Sequence, residues 1–250
     1  MQNGADAIYL GGTLFSARAN AKNFNDEDLQ WAVSYAHLYG VKVYVTINTL
    51  YKDKEMNALT SYVTKLYELQ VDALIVQDIG LFDLIRTLYP DFEIHISTQA
   101  SVMNSYGTRY FEENGAHRVV LARENTLEEI QNICRQTNLE IEVFVHGAMC
   151  VCYSGQCLMS SMIGKRSGNR GQCAQPCRLQ YQLLKDGQSL PEKHPYLLSP
   201  KDIMTIEYLG ELIEAGVSSL KIEGRMKRPE YVASVTRAYR EAIDAYYQNK

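Results

Sequence analysis

Tyr39-Gly-Val-Lys-Val-Tyr-Val-Thr-Ile47 places a glycine directly before a run of β-branched and aromatic residues. Glycine at such a point suits the left-handed residue that ends a helix, and the apolar run after it is typical of a buried strand. The same lead-in precedes three further apolar runs, at Asn3-Gly-Ala-Asp6, Asn114-Gly-Ala-His117 and Ala215-Gly-Val-Ser218. This recurrence predicts a chain of repeated units in which a helix leads through a glycine into a strand.

Seven short apolar strands are predicted along the chain, with amphipathic helices between them. The strands cover residues 7–10, 41–47, 73–76, 93–97, 118–121, 142–145 and 220–222. Asn25 is the expected N-cap of a first helix, Asn125 or Thr126 caps a later one, and Pro229 begins the last. Strands that alternate with helices about every 25–35 residues indicate parallel βαβ units.

The predicted fold is an α/β protein, a (β/α)8 TIM-type barrel that lacks its first βα unit. Each strand is apolar almost throughout, as expected where helices cover the outside of a parallel sheet. A doubly wound open sheet is the alternative. We expect one domain over residues 1–250, in which residues 143–185 are a Cys-rich, basic, cluster-binding segment that begins within the sixth strand and contains an inserted loop region. In a barrel, the loops at that end of the strands carry the functional residues.

The charge of the chain is unevenly distributed. Its net charge of −4 excludes a protein that coats nucleic acid through general basicity. Residues 143–185, however, contain no Asp or Glu. The cations of this window are Lys165, Arg166, Arg170, Arg178 and Lys185. A window of this kind predicts that a local anionic ligand, such as RNA phosphate, binds there. Alternatively, its cations balance the negative charge of a cluster bound by thiolates.

Four cysteines lie in this basic window, namely Cys150, Cys157, Cys173 and Cys177. Their spacings of six, fifteen and three intervening residues match no zinc ribbon, whose pairs have gaps of about two to four residues. Four converging thiolates can hold zinc or an iron–sulfur cluster, and this spacing favours iron and sulfur. Cys134 and Cys152 are predicted to be ordinary packing residues.

The predicted location is cytoplasmic. No signal peptide precedes the first strand, and thiols stay reduced in the cytosol, so disulfides are the less favoured interpretation of the cysteines. No apolar run approaches the roughly 18 residues that a membrane span needs.

No catalytic residue is predicted. The chain has no Gly-x-Ser-x-Gly elbow, His-Glu-x-x-His helix, phosphate loop or dinucleotide fingerprint. His146 ends a strand four residues before Cys150, and such a histidine is more often a hydrogen-bonded part of the scaffold than a ligand. A cysteine peptidase needs a thiolate with a histidine partner, so a pair of His146 and Cys150 is the peptidase interpretation.

Long motifs extend over the whole chain. The longest is Glu142-x-Phe144-x-x-Gly147-Ala-Met-Cys150-x-x-x-x-Gly155-x-Cys157-x-Met159-Ser160. Others are Asp6-Ala-Ile-Tyr-Leu-Gly-Gly12, Gly171-Gln-Cys-Ala-Gln-Pro-Cys-Arg178, Leu198-Ser-Pro-Lys-Asp202 and Leu220-Lys-Ile-Glu-Gly-Arg225. Together they resemble the signature of the collagenase-like peptidase family U32.

The resemblance implies a function on RNA. The family was named for a reported collagenase-like activity, but it includes iron–sulfur proteins that hydroxylate nucleic-acid bases or ubiquinone precursors without molecular oxygen. The subgroup to which this chain is most similar forms 5-hydroxyuridine at the wobble position of tRNA, with prephenate as co-substrate. The resemblance also implies tRNA and a paralogous subunit of the family as partners. It implies a 4Fe–4S cluster held by Cys150, Cys157, Cys173 and Cys177.

The arginines predicted to contact substrate are Arg166, Arg170, Arg178 and Arg225. Guanidinium groups form bidentate pairs with phosphate and carboxylate groups. Two alternatives to a tRNA hydroxylase remain open, a U32-type peptidase and a non-catalytic iron–sulfur subunit of a modification complex. Members of the family begin with one more βα unit and continue beyond the last helix, so the chain is expected to be a fragment shortened at both ends.

Overall fold

Parallel strands with helices between them build the protein. The computed structural model describes residues 1–17, 21, 23–191, 194–224 and 226–249. The strands are β1 (Ala7–Leu10), β2 (Lys42–Ile47), β3 (Ala73–Val76), β4 (Glu93–Ile96), β5 (Arg118–Val120), β6 (Glu140–Gly147), β7 (Leu184–Lys185), β8 (Gln188–Ser189), β9 (Ile203–Met204) and β10 (Ser219–Ile222). The helices are α1 (Asp26–Leu38), α2 (Met56–Glu68), α3 (Ile79–Leu88), α4 (Ser105–Glu113), α5 (Leu127–Cys134), α6 (Met159–Gly164), α7 (Leu209–Glu214) and α8 (Pro229–Gln248).

The main sheet winds in one direction. Its strand order is β1-β2-β3-β4-β5-β6-β10, all parallel, with β9 added antiparallel to β6. Val45 of β2 pairs with Leu74 of β3, which in turn pairs with Ile94 of β4. All seven predicted strands occur in this sheet. The doubly wound alternative is wrong, because that fold requires the strand order to reverse.

The sheet curls without closing into a barrel in the described residues, and its seven parallel strands are the number predicted for a TIM-type barrel that lacks its first βα unit. In the described residues, no ladder of hydrogen bonds joins β1 to β10. The two edge strands nevertheless approach each other, because the Tyr9 hydroxyl donates to the Ile222 carbonyl oxygen at 3.2 Å. The fold is therefore a curled parallel half-barrel, with seven parallel strands in the described part of the chain where a TIM barrel has eight.

The two faces of the curled sheet are packed differently. Outward side chains such as Val43, Leu74 and Ile94 are fully buried against the helices in the main hydrophobic core. A smaller apolar cluster lies on the inner face, and its members are Tyr44, Ala73 and Ile75 with Ala7 and Tyr9. Many of the other inward positions carry polar and charged side chains, which are described below.

Capping side chains set the starts of two helices as predicted. The Asn25 side chain accepts a hydrogen bond from the N–H of Asp28 at 2.8 Å, which begins α1. Thr126, rather than Asn125, caps α5 and forms a reciprocal capping box with Glu129. These bonds satisfy backbone N–H groups that the first turn of a helix leaves without intrahelical partners.

The last helix connects strand β6 to the segment that leads into the edge strand β1. Pro229 occupies the first turn of α8, as predicted. The Tyr239 hydroxyl donates to the Val145 carbonyl oxygen of β6 at 2.7 Å. Arg240 donates from Nε to the Gly4 carbonyl oxygen just before β1, at 2.9 Å. Among the described residues, no helix, α8 included, is both long enough and apolar enough to cross a membrane.

Candidate functional site

A cavity of about 450 Å³ opens at the carboxyl ends of the parallel strands. Its floor is formed by strand-end side chains, including Asn48 after β2, Ser97 after β4 and Phe144 in β6. Its mouth is formed by residues 148–178, which we call the cysteine segment. This segment therefore covers the end of the sheet at which α/β barrels bind their ligands.

Two glycines let the cysteine segment leave β6 and turn back over the sheet. Gly147 has a φ of 115°, and a Cβ there would lie 2.7 Å from the carbonyl oxygen of Glu223. Gly155 has a φ of 77°, and a Cβ there would overlap the carbonyl oxygen of Gln99. Both positions therefore require glycine. The segment packs backbone against backbone on the loops after β4 and β10, which fixes it above the cavity.

The four predicted ligand cysteines meet at the mouth of this cavity. The N–H of Gln175 donates to Cys173 Sγ at 3.3 Å. Burial raises the pKa of the Cys177 thiol; Arg178 opposes this, and the other three thiols add to it. The thiols are therefore close enough to interact electrostatically. All four line the cavity, namely Cys150, Cys157, Cys173 and Cys177.

The arrangement of donors fits some metal groups better than others. In the described part of the chain, no three Cys, His, Asp or Glu side chains are grouped closely enough to hold a single metal ion. An iron–sulfur cluster takes its thiolates on separate iron atoms, so its ligands lie farther apart than those of one ion. Four sulfur donors around one cavity therefore fit a cluster better than a lone zinc ion.

The two remaining cysteines have different surroundings. Cys134 on α5 is half-buried and packs against the main core, as predicted. Cys152 was also expected to be a packing residue, but it lies in the cysteine segment beside Cys157. Burial and the neighbouring Cys157 thiol raise the pKa of Cys152. Its place in a turn between two predicted ligands explains the difference.

Arg166 lies at the rim of the cavity. It is exposed, lines the opening, and donates from Nε to the Gln172 carbonyl oxygen at 3.1 Å. A guanidinium in this position can meet an anionic ligand as that ligand enters. Arg225, also predicted to contact substrate, lies outside the described residues.

Arg170 binds a carboxylate of the protein itself. Its Nη2 contacts Glu55 Oε1 at 2.5 Å, and its Nη1 donates to the Leu50 carbonyl oxygen at 2.6 Å. The hydrogen bond from Arg170 lowers the pKa of Glu55. Arg170 thus anchors the cysteine segment to the loop between β2 and α2, and its contact with substrate stays a prediction.

Arg178 connects three parts of the site. Its Nη1 donates to Ser199 Oγ and to the Pro200 carbonyl oxygen, each at 2.6 Å. Its Nη2 donates to the Met149 carbonyl oxygen at 2.7 Å. The guanidinium therefore joins the two ends of the cysteine segment, since Met149 precedes Cys150 and Arg178 itself follows Cys177.

Replacing Arg178 by lysine is expected to lower the free energy of unfolding by about 1–3 kcal/mol, because one ammonium cannot reproduce a planar group that donates to three acceptors. Arg166→Lys is the matched control, since Arg166 is exposed and its exchange should change that free energy by less than about 0.5 kcal/mol. Urea unfolding followed by circular dichroism measures both. Equal effects of the two substitutions would contradict the anchoring role of Arg178.

A buried ionic network lies inside the curl of the sheet, beneath the cavity. Glu142 Oε1 accepts from Lys221 Nζ at 2.6 Å, and Glu142 Oε2 accepts from Arg118 Nη1 at 3.0 Å. The Ser219 hydroxyl also donates to Glu142 Oε2, at 2.9 Å. Sequence reasoning did not select these residues as a site. The available signal was the presence of charged residues within otherwise apolar strands.

Neighbouring cations keep Glu142 ionised. Burial alone raises the pKa of this carboxyl, but Lys221 and Arg118 more than offset burial and bring the pKa to about 2. The Lys221 ammonium also lies 4.4 Å from the ring centroid of Tyr9 and 5.7 Å from that of Phe144. Because Lys221 lines the cavity as well, the network supports the cavity floor.

His146 is held by aromatic packing. Its ring centroid lies 5.7 Å from that of Tyr239 and 5.9 Å from that of Tyr231. Burial lowers the pKa of His146, and its Nδ1 has no hydrogen-bond partner among the described residues. The expected hydrogen bond to the scaffold is therefore not made through Nδ1. Nor does Nδ1 bond the Cys150 thiol, the pairing that a cysteine peptidase would use.

Comparison with known proteins gives close relatives. The sequence profile described as Peptidase family U32 matches residues 1–250. The chain is 42% identical over 249 residues to the tRNA hydroxylation protein P1 of Bacillus subtilis (strain 168), covering 97% of this chain and 59% of that protein. It is 44% identical over 248 residues to the 23S rRNA 5-hydroxycytidine C2501 synthase of Escherichia coli (strain K12), covering 99% of this chain and 37% of that protein.

A further relative is named as a protein-cleaving enzyme and not as an RNA-modifying one. The chain is 37% identical over 258 residues to the collagenase of Porphyromonas gingivalis (strain ATCC BAA-308 / W83), covering 97% of this chain and 61% of that protein. The chain therefore spans less than two thirds of the length of each of these three relatives.

Proposed function

The chain belongs to peptidase family U32, and on that premise we propose that it is an enzyme that hydroxylates a pyrimidine base of RNA with the help of an iron–sulfur cluster. The observation that carries the proposal is the meeting of four cysteine thiols at the mouth of one cavity. Relatives named for tRNA and rRNA hydroxylation support the reaction class. The specific reaction that we propose is conversion of the wobble uridine of tRNA into 5-hydroxyuridine, without molecular oxygen.

The chain's own residues would hold the cluster in place. The hydrogen bond from Arg178 to the Met149 carbonyl oxygen draws the first and last of the four cysteines together. When bound, a 4Fe–4S cluster would supply electron transfer or a site for a substrate oxygen beside the base. The proposed ligands are Cys150, Cys157, Cys173 and Cys177.

RNA is the proposed partner, bound through phosphate contacts at the rim. Arg166 is the arginine placed to make such a contact, because it is exposed and lines the opening. Arg170 and Arg178 are assigned to holding the cysteine segment, since both already bind acceptors of the protein. Arg225 and a paralogous subunit remain part of the proposal without a described contact.

The reaction needs a second substrate. Replacing C5–H of uridine by C5–OH adds one oxygen atom and removes two electrons from the base. A co-substrate must therefore supply the oxygen atom and take up the two electrons, as in U–H + R–OH → U–OH + R–H. Prephenate, which the family resemblance implies, is the hydroxyl-bearing compound R–OH that we propose. The cavity of about 450 Å³ has the size of a typical small-molecule site.

Two other functions compete with this proposal. The relative named collagenase favours a peptidase, but a peptidase has no use for four grouped thiols, and His146 Nδ1 makes no bond to Cys150. A non-catalytic iron–sulfur subunit would carry the cluster and bind RNA without turning it over. Nucleoside analysis separates these functions, because only the hydroxylase changes the mass of a base.

Anaerobic purification of the full-length protein is expected to give broad visible absorbance with roughly four iron and four sulfide per chain. The Cys173→Ala/Cys177→Ala variant should lose this absorbance. Cys134→Ala is the matched control, because Cys134 packs against the core away from the cavity and its replacement should leave the absorbance unchanged. A folded wild-type protein without iron would contradict the cluster.

Activity is tested on tRNA from cells that lack the gene. The wild-type protein and Cys134→Ala, supplied with prephenate, should add one oxygen atom to a uridine, detected by mass spectrometry of nucleosides. The double cysteine variant should add none. A cluster-bearing protein that binds tRNA without this mass change would support the non-catalytic subunit, and cleavage of gelatin by the wild type would support the peptidase.

A further inference from the structure

Three apolar side chains stand exposed on and beside α6, close in the chain to residues that line the cavity. Met162 is 81% exposed, Ile163 69% and Leu158 60%. The helix lies between Cys157 and Arg166, and both of these residues line the cavity. Leu158 and Met162 lie one helical turn apart, since the Met162 N–H donates to the Leu158 carbonyl oxygen at 2.9 Å. Exposed apolar side chains grouped in this way mark a surface that contacts another molecule.

The inner side of α6 is fixed to the rest of the site. Ser160 is buried, and its Oγ accepts the N–H of Ala174 at 2.9 Å. At the end of the helix, Lys165 adopts a left-handed conformation with a φ of 55°, and its N–H donates to the Ser161 carbonyl oxygen at 3.0 Å. The exposed side chains are therefore presented from a firmly held helix.

The charges around α6 suit a nucleic acid. Lys165 and Arg166 follow the helix directly and are exposed, and residues 143–185 contain no Asp or Glu. An RNA strand combines phosphate charge with the flat apolar faces of its bases. Proteins that kink duplex DNA insert apolar side chains such as Met, Leu or Ile between base steps and partly unstack them. An RNA loop therefore matches both the apolar patch and its cationic border.

The position of the cavity requires that the target base leave its stack, which an inserted apolar side chain can bring about. Enzymes that act on a base move it out of its stack into a pocket, and unstacking has a free-energy cost. The cavity lies under the cysteine segment, so a base that stays stacked between its neighbours cannot reach it.

Building on the proposed function, we infer that Met162 and Ile163 form a wedge that enters the stack beside the target nucleotide and releases its base into the cavity. Lys165 and Arg166 hold the flanking phosphates. Tyr153, which is exposed and also lines the cavity, provides an aromatic face on which the released base stacks.

The test compares two RNAs that differ in how firmly the target base is stacked. One is a tRNA anticodon stem-loop, and the other is an unstructured oligoribonucleotide with the same loop sequence. For the full-length Met162→Ala/Ile163→Ala variant, the hydroxylation rate on the stem-loop should fall about tenfold or more, but on the unstructured RNA by no more than about twofold, since little unstacking is needed there. 2-Aminopurine placed beside the target should brighten with the wild type and not with the variant.

Two control variants define what a reduced rate means. Leu38 is 81% exposed, as Met162 is, and lies at the end of α1 that leads into β2, at the opposite end of the sheet. The Leu38→Ala variant should therefore change neither hydroxylation rate. Lys165→Gln/Arg166→Gln should weaken binding of both RNAs and reduce the dependence of log affinity on log salt by about one for each phosphate that is no longer bound. The wedge variant should keep the wild-type salt dependence.

Several outcomes would overturn the wedge. Equal reductions on both RNAs, or none, would exclude unstacking by Met162 and Ile163 while leaving the hydroxylase intact. A variant that modifies RNA normally but no longer binds a partner subunit would show that α6 is a protein interface. If the wild-type protein modified none of the three RNAs (the stem-loop, the unstructured RNA and full-length tRNA), the proposed function would be wrong, and the wedge would be wrong with it.

Discussion

Glu142→Gln is expected to lower the free energy of unfolding by about 3–5 kcal/mol, because it removes the buried carboxylate that both Lys221 and Arg118 contact and leaves these buried cations with less counter-charge. Lys221 and Arg118 both donate to this carboxylate, and all three side chains are at least nine-tenths buried. Burial has already removed the solvation of these charges, so water does not replace the missing attraction. The matched control is Glu140→Gln, which removes a half-exposed partner of the same Arg118 and should cost about 0–1 kcal/mol.

The effect of Glu142 should also depend on pH. The pKa of this carboxyl is about 2 in the folded protein, against an ordinary value of 4.5. Because the folded value is the lower one, the unfolded chain takes up this proton first as the pH falls. The contribution of Glu142 is therefore complete above a pH of about 4.5 and is lost as the pH falls toward about 2.

Urea unfolding at neutral pH and thermal unfolding between pH 7 and pH 3 test both statements. The Glu142→Gln protein should show a flatter acid dependence than the wild type, since it lacks the titrating group. If Glu140→Gln were as damaging as Glu142→Gln, the buried network would not be the source of the stability.

Gly155→Ala is expected to destabilise the protein by about 2–5 kcal/mol and to prevent binding of the proposed cluster, because it combines a left-handed backbone with an overlap of atoms. Gly155 has a φ of 77°, and the added Cβ would overlap the carbonyl oxygen of Gln99. The carbonyl oxygen belongs to the backbone and the Cβ is bonded directly to it, so neither atom can rotate aside. The turn between Cys150 and Cys157 would have to lift from the sheet, which separates the proposed ligands.

Gly187→Ala separates the effect of the left-handed backbone from the effect of the atomic overlap. Gly187 lies in the turn between β7 and β8 with a φ of 78°, but a Cβ there meets no atom within 4 Å. In this variant the free energy of unfolding should fall by only about 1–2 kcal/mol, the cost of a left-handed alanine backbone, and the protein should keep its iron. Iron content and urea unfolding are measured for both variants. Equal destabilisation with full iron in each would show that the contact with Gln99 does not hold the turn.

The strands of the sheet could be predicted from sequence because their signal is local. A glycine followed by an apolar run marks the start of β2, and the structure begins that strand at Lys42, one residue after the predicted start. Whether the sheet closes into a barrel could not be predicted in this way. It depends on how edge strands meet, as in the hydrogen bond from Tyr9 to Ile222 between residues 213 positions apart.

The candidate site was predictable only in part, for the same reason. Residue type and clustering identified the cysteines, and charge identified the arginines. The partner of Arg170, however, is Glu55, which lies 115 positions earlier in the chain, and no local pattern indicates that pairing. The buried ion pair between Glu142 and Lys221 joins residues 79 positions apart and likewise became visible only in the fold.

The contact of α8 with the entry to β1 bears on how a nascent chain acquires this structure. From β1 to β6 each strand pairs with the next one in the chain, so most of the sheet can assemble in the order of synthesis. The bond between Arg240 and Gly4 spans 236 positions and forms only after α8 has left the ribosome. Until then the entry to β1 lacks this anchor, and an edge strand that is not yet anchored is a place where another chain can pair. Within the described chain, the anchoring of β1 is therefore completed later than the pairing of β1 to β6.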